Sequence, residues 1–415
     1  MRGALYRFAA TAVTTVTAAA VLVLVGSAST SAAPASDAAT VHAVGSPRSA
    51  TSALSIRVDG NRLVDADGNT VILCGADTSG TEYACVQEHS IFDGDQEASP
   101  ASIDAMQSWG FNAARVELNE SCWLGIQGVA PSVSGAAYQE AIENYVDALQ
   151  DAGMYVIIDM HWSSTGGSKE ATRQEPMPDE TYAPEFWTSV ADAFKNNPGV
   201  IFDLFNEPYP DRNRDTRGAW ECDLEGSAGG TCTGFKYRAA GMQQLLDAVR
   251  AAGATNVVMV GGPQYAGVLD RWSTYSPVDP LHQLAASIHI YWKNPEQPDW
   301  SPCWSQSCWT GTLAPLAETV PIVVGEFGEL DCGDTLYPPF LKFADQNGIS
   351  YLAWAWFVGS CAGEPSLITS YDGTASDYGI GYQQYLASLG LDPRSVGPPG
   401  RAALRKPTPS ARPPA

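Results

Sequence analysis

Two glutamates carry the strongest chemical signal in the chain. Glu207 stands in Phe205-Asn206-Glu207-Pro208 and Glu326 in Gly325-Glu326-Phe327-Gly328, each after a short apolar run that reads as a buried strand. Cleaving a glycosidic bond takes two carboxyl groups. One protonates the leaving oxygen, and the other attacks the anomeric carbon or activates water; a pair about 5–5.5 Å apart retains configuration. Other apolar runs end in polar or aromatic residues in the same way. Arg115 lies in one, with Glu117 and Asn119-Glu120 following. Others end Asp159-Met160-His161-Trp162, Gly262-Pro263-Gln264-Tyr265, His289-Ile290-Tyr291-Trp292 and Trp354-Ala355-Trp356. One such ending means little, but six or seven gathered in one bowl exceed what folding alone requires.

Gathering them is a task for a particular fold. Candidate strands at 71–75, 111–118, 154–160, 199–205, 256–261, 285–291, 321–326 and 350–357 alternate with helical patterns near 99–109, 135–152, 184–195, 236–252, 311–319, 338–347 and 378–388. A weak helix at 266–272 follows the fifth strand. Apolar strands alternating with helices predict an α/β protein with a parallel sheet. Eight such strands close most simply into a (β/α)8 TIM barrel, whose reactive residues collect at the C-terminal ends of the strands. The rival is an open, doubly wound sheet. It would show a glycine-rich phosphate loop after an early strand, and Cys74-Gly75-Ala76-Asp77 is not one. Before the barrel, Asp59-Gly60 and Asp67-Gly68 among alternating apolar residues predict a short N-terminal β-hairpin lid.

The ordered set Phe111-Asn112-Ala113-Ala114-Arg115-Val116, Ile158-Asp159-Met160-His161-Trp162, Phe205-Asn206-Glu207-Pro208, His289-Ile290-Tyr291 and Gly325-Glu326-Phe327-Gly328, closed by Trp354-Ala355-Trp356, resembles glycoside hydrolase family 5. That is the cellulase and mannanase family of retaining enzymes. The resemblance implies Glu207 as general acid then base, and Glu326 as the nucleophile that forms a glycosyl-enzyme. It implies that Asn206 bonds the sugar 2-hydroxyl and that Arg115 helps hold Glu326 ionised. His161 and His289 would bind sugar hydroxyls, Tyr291 would touch the nucleophile, and Trp354 would be the sugar platform, with Trp356 the lesser candidate. Trp162, Trp292, Trp304 and Trp309 are further candidate stacking faces. Against these roles stand plainer ones: Arg115 paired with a core acid such as Asp159, the histidines satisfied in the core, and Glu117 and Glu120 as structural or subsite residues. The substrate implied is a β-linked polysaccharide or oligosaccharide, β-1,4-glucan first and β-mannan second. Leu118-Asn119-Glu120-Ser121-Cys122-Trp123-Leu124-Gly125 matches no common cellulase pattern. A disulfide-tied loop there would block subsites and favour cleavage from an end.

The remainder of the chain sets the context. Arg2 and Arg7, an apolar run around Val21–Val25 and small residues to Ala35 form the three-part pattern of a secretory signal peptide, expected to span 1–33. An Ala/Ser-rich segment, 34–53, is expected to be disordered, 54–392 to form the barrel, and 393–415 to be a Pro/Arg-rich tail. The protein is therefore expected to be extracellular, monomeric and without a membrane partner after cleavage. Its formal charge of −23 repels nucleic acid and anionic lipid. Nine cysteines in an exported chain read first as disulfides. The expected pairs are Cys222–Cys232, Cys303–Cys308, Cys85–Cys122 and Cys332–Cys361, with Cys74 the odd, buried one. No Cys-x-x-Cys or His-x-His pair is present, so no metal and no cofactor is expected. The rivals to catalysis by two carboxylates are a metal-dependent barrel hydrolase and a sugar-binding barrel. The second would usually have lost one of the two glutamates.

Overall fold

The computed structural model describes residues 54–94, 96–292, 301–359 and 364–390. The expected signal peptide, the Ala/Ser-rich segment and the whole of the expected tail lie outside them. A hairpin opens the described chain, β1 (Arg57–Asp59) and β2 (Arg62–Val64), turning through Gly60-Asn61. Eight parallel strands follow: β3 (Cys74–Thr78), β4 (Ala113–Asn119), β5 (Tyr155–Trp162), β6 (Val200–Asp203), β7 (Val258–Val260), β8 (Leu284–Trp292), β9 (Ile322–Glu329) and β10 (Ser350–Ala353). They pair in sequence order, and β10 returns to β3, closing the barrel. A last small hairpin, β11 (Ile368–Ser370) with β12 (Thr374–Ala375), precedes the final helix, Asp377–Ser388.

Alternation along the strands sorts side chains into two populations. Ala114, Val116, Ile158, Met160, Phe202 and Ile288 face the surrounding helices and join the larger apolar cluster. Ala113, Tyr155, Ile157, Ile201, Met259, Val323 and Leu352 face inward and fill the lower barrel. The N-terminal hairpin packs on this lower layer through Ile56 and Leu63. It therefore plugs the end opposite the strand C-termini and is no lid over the mouth. The sequence pattern identified the turn but not the face it covers.

The first strand lies three residues later than expected, because Asp77 and Thr78 continue the ladder beside Arg115 and Val116. Their polarity hid them from an apolar count. The weak helix near 266–272 is replaced by a single turn at Trp272–Tyr275. Short helices at Ala84–Gln87, Glu120–Leu124 and Arg217–Glu225 were not anticipated.

Disulfides join Cys85 to Cys122, Cys222 to Cys232 and Cys303 to Cys308, as expected. Cys332 is disulfide-bonded, and its expected partner Cys361 lies outside the described residues. Cys74 is buried on β3. Among the described residues no helix is long and apolar enough to cross a membrane.

Candidate active site

Above the apolar layer the barrel interior turns polar, and its centre is one cation. Arg115 is fully buried on β4. Its Nη1 donates to Asp77 Oδ1 at 2.8 Å and to Glu326 Oε1 at 3.0 Å. Its Nε donates to Asp203 Oδ2 at 3.2 Å, and Nη2 donates to Asn206 Oδ1 at 2.9 Å and lies 3.0 Å from Asp159 Oδ2. Glu117 Oε1 is 3.9 Å away. Arg115 thus pairs with core acids, Asp159 included, and also contacts Glu326.

Glu326 reaches this place through an irregularity. Val323 faces the interior and Val324 the helices, so strict alternation would turn residue 326 outward. The β8–β9 register slips between Ile288↔Val324 and His289↔Glu326, leaving Gly325 as an extra residue. A bulge of this kind re-aims the next side chain. Gly325 suits this place, because a Cβ would sit 3.0 Å from His289 Nε2 and 3.1 Å from Ser287 Oγ and would press on both side chains.

Glu207 follows β6 and faces Glu326 across the mouth. His289 Nδ1 lies 3.0 Å from Glu207 Oε1 and 3.5 Å from Glu326 Oε2. One carboxylate oxygen from each glutamate and one ring nitrogen of His289 all fall within 4.8 Å of one another. That is the close spacing of a retaining pair, not the wider one that leaves room for water between them. It is also the one place among the described residues where three groups able to ligate a metal converge.

The surroundings divide the labour of the two glutamates. Tyr291 donates its hydroxyl to Glu326 Oε2 at 2.6 Å, so with Arg115 both oxygens of Glu326 accept hydrogen bonds from strong donors. Glu207 has no cation in contact. Burial pushes its carboxyl above the ordinary range, against the opposing hydrogen bond from Gln174. Burial also holds His289 down to about 3 and lowers His161, so both imidazoles are neutral at ordinary pH.

His161 sets Nδ1 2.7 Å from Asp159 Oδ2 and stacks on Trp354, centroids 5.6 Å apart and planes 20° from parallel. The cleft encloses about 810 Å3, and every predicted site residue except Arg115 lines it: His161, Asn206, Glu207, His289, Tyr291, Glu326 and Trp354. Arg115 lies beneath the floor. The Trp354–Ala355 peptide is cis.

Of the other tryptophans, Trp162 lines the cleft. Trp356 is fully buried against Trp109 and Phe111, and Trp292 and Trp309 pack on Phe340, so these three are core. Trp304 is exposed but does not line the cleft. Glu117 and Glu120 are fully buried and structural. In the stretch 118–125, Glu120–Leu124 form a short, largely buried helix, and none of its residues lines the cleft.

Sequence reasoning missed Asp77, Asp203, Glu82 and Gln174. A lone acid inside an apolar run, as in Ile201-Phe202-Asp203, was the available signal for the first two. Gln174 sits on an irregular loop and gave none.

These burials carry a prediction for stability against pH. Glu97, Glu120 and Asp223, which make no contact with Arg115, are all pushed well above the ordinary carboxyl range by burial. In the folded state they keep protons that the unfolded chain has lost, so stability falls as pH rises above the ordinary carboxyl range. The two lowered histidines act oppositely, and their contribution is complete above their unfolded value near 6.5. The melting temperature should therefore be highest at mildly acidic pH and fall steadily from about 6.5 upward. A melting temperature that climbs from pH 6.5 to 8.5 would contradict this account.

Residues 64–360 match the family model described as cellulase (glycosyl hydrolase family 5). The chain is 30% identical over 159 residues to Endoglucanase A of Butyrivibrio fibrisolvens, covering 38% of this chain and 32% of that protein. It thus spans about a third of the length of that relative. It is 23% identical over 305 residues to the mannan endo-1,4-beta-mannosidase of Salipaludibacillus agaradhaerens, covering 72% and 80%. A beta-glucanase from Saccharophagus degradans has the same fold, with a TM-score of 0.60 at 21% identity over 81% of this chain and 94% of that one.

Proposed function

The chain belongs to glycosyl hydrolase family 5 and is a glycosidase, and from that premise we propose that it is a secreted, retaining β-glycoside hydrolase with Glu207 as acid/base and Glu326 as nucleophile. The observation that carries the assignment is the asymmetry between the two glutamates. Glu326 accepts from Arg115 and Tyr291 and is aimed into the cleft. Burial raises the carboxyl of Glu207, which favours the protonated form that an acid needs.

In the first step Glu326 attacks the anomeric carbon while Glu207 protonates the departing oxygen. Asn206, fixed by its Oδ1 on Arg115, is placed to bond the 2-hydroxyl. Glycosylation removes the charge of Glu326, whose oxygen lies within 4.8 Å of one on Glu207. Loss of that neighbouring anion favours ionised Glu207. Glu207 then takes a proton from water as water attacks the glycosyl-enzyme, and the second inversion restores the configuration.

The substrate we propose is β-1,4-glucan, with β-mannan second. The relatives named endoglucanase and mannan endo-1,4-beta-mannosidase support both. The cleft lining supports a neutral glycan: it contains Glu82, Glu207, Glu326 and Glu364 and, among the described residues, no Lys or Arg. Polymers bearing uronate or sulfate groups would meet only like charge there. The N-terminal signal pattern and three disulfides support export. The protein is proposed to act as a monomer without a bound cofactor or metal.

The test is a substrate panel: carboxymethylcellulose, mixed-linkage β-glucan, glucomannan, galactomannan, galactan and aryl β-glycosides, with products read by mass and chain length. Oligomers from glucan are expected, and they should persist after dialysis against a chelator. Loss of activity to the chelator would favour a metal at Glu207, His289 and Glu326. No product from any member would favour a sugar-binding barrel.

A further inference from the structure

The stretch Leu118–Gly125, which matches no common pattern and stays out of the cleft, is tied by hydrogen bonds to a neighbouring loop, residues 163–182. Asn119 Nδ2 donates to Ala171 O at 2.8 Å, and Ala171 N donates to Ser121 Oγ at 2.8 Å. That residue is clamped through both its backbone groups. Ser164 N donates to Glu120 Oε2 at 2.8 Å, and Gln127 Nε2 donates to Gly167 O at 2.9 Å. Asn119, Glu120 and Ser121 are themselves fully buried, and the Cys85–Cys122 disulfide ties the turn to the segment after β3. Downstream, Met177 is fixed by Tyr237, whose hydroxyl accepts from Met177 N at 3.0 Å and donates to Met177 O at 2.6 Å. Tyr209 N donates to Pro176 O at 2.9 Å.

Between these two anchored points lies Gln174. Its Nε2 donates to Glu207 Oε2 at 2.9 Å and to the Glu207 backbone carbonyl at 3.0 Å. A carbonyl oxygen can only accept, so the amide nitrogen must face Glu207. One NH2 group thus ties the carboxyl of Glu207 to its own main chain and fixes the direction in which the acid points.

We propose that Gln174 is a positioning residue for Glu207, and that the Asn119-Glu120-Ser121 turn is the latch that holds the loop carrying it. The proposal rests on the reading of Glu207 as acid/base. It gives Gln174 two effects. It aims the carboxyl at the leaving oxygen, and by donating to Oε2 it favours the ionised form, against burial. Without it, Glu207 should lose its proton at higher pH.

The experiment compares wild type, Gln174→Met and Ser121→Ala in kcat/KM against pH on two substrates. One is cellotetraose, whose leaving group needs a proton. The other is 2,4-dinitrophenyl β-cellobioside, whose leaving group does not. If the panel selects mannan, the corresponding manno-substrates replace them. For Gln174→Met the basic limb on the tetrasaccharide should move up by about one pH unit, the scale of one hydrogen bond to a charged group. On the aryl glycoside, whose departure needs no proton, the pH dependence should stay that of wild type. Ser121→Ala should move the limb the same way by less.

A limb that coincides with wild type overturns the positioning role. Equal loss on both substrates also overturns it, since that is what a general structural defect gives. A shift in Gln174→Met with none in Ser121→Ala overturns the latch. A control separates failure of the underlying reading: Glu207→Ala with azide should yield the β-glycosyl azide from the aryl glycoside. If it does not, the assignment of Glu207 has failed, whatever Gln174 does.

Discussion

Glu326→Gln is expected to lower turnover on every substrate by on the order of 10^6-fold, the scale seen when a covalent nucleophile is removed. The amide is nearly isosteric but cannot form the glycosyl-enzyme. Unlike most active-site losses, this one should not weaken the fold. Glu326 is one of five acids within 4 Å of a single guanidinium. Removing one negative charge from that excess should leave the melting temperature unchanged or raise it. The measurement pairs steady-state kinetics with thermal unfolding. A second variant, Glu326→Ala, should regain activity with azide and give the α-glycosyl azide, because azide enters from the face that the carboxylate left. Residual turnover above about 1% of wild type, in protein purified clear of wild type, would remove Glu326 from the chemistry.

Arg115→Met should be the most damaging change to the fold. It leaves Asp77, Asp159, Asp203 and Glu326 buried around a thioether. Breaking a buried ion pair by removing one partner typically costs about 3–5 kcal/mol, and here one cation serves several partners. The variant should unfold at markedly lower urea concentration or fail to accumulate, and any folded fraction should be inactive. Arg115→Lys should recover little, since a point charge cannot replace a planar fork that meets partners on three sides. Adding Asp77→Asn and Asp203→Asn to Arg115→Met should restore stability without restoring activity. If Arg115→Met alone unfolds within about 1 kcal/mol of wild type, the acids are held apart by protons and not by the guanidinium.

The barrel was legible because its signals are local. Apolar runs such as Val156-Ile157-Ile158 read as strands whatever lies around them, and residues at their ends must then converge on one mouth. That logic brought Glu207 and Glu326 forward, and the family resemblance singled out His161, His289, Tyr291 and Trp354 among the other strand ends. The failures come from effects that alternation cannot express. Gly325 inserts one residue into β9, and nothing in Val323-Val324-Gly325-Glu326 says on which side of the bulge Glu326 emerges. Trp354 and Trp356 share a motif, yet one lines the cleft and the other packs against Trp109 and Phe111. Asp77 fell just past the expected first strand and Asp203 passed unremarked inside 199–205, because Arg115, whose charge permits both inside, lies on another strand. Gln174 depends wholly on tertiary anchoring through a loop that has no periodic pattern to read.

The central claim is that Glu326 bonds covalently to the sugar. The most direct test is to incubate the active enzyme with a 2,4-dinitrophenyl 2-deoxy-2-fluoro-β-glycoside of the sugar that the panel selects. The fluorine slows both steps, while the good leaving group keeps the first fast enough for the intermediate to accumulate. Intact mass followed by peptide mapping should find one glycosyl group per chain, on the peptide containing Gly325-Glu326-Phe327, with activity returning as the label turns over. Label on another residue, or steady release of dinitrophenol from a protein that never gains mass, would contradict the account.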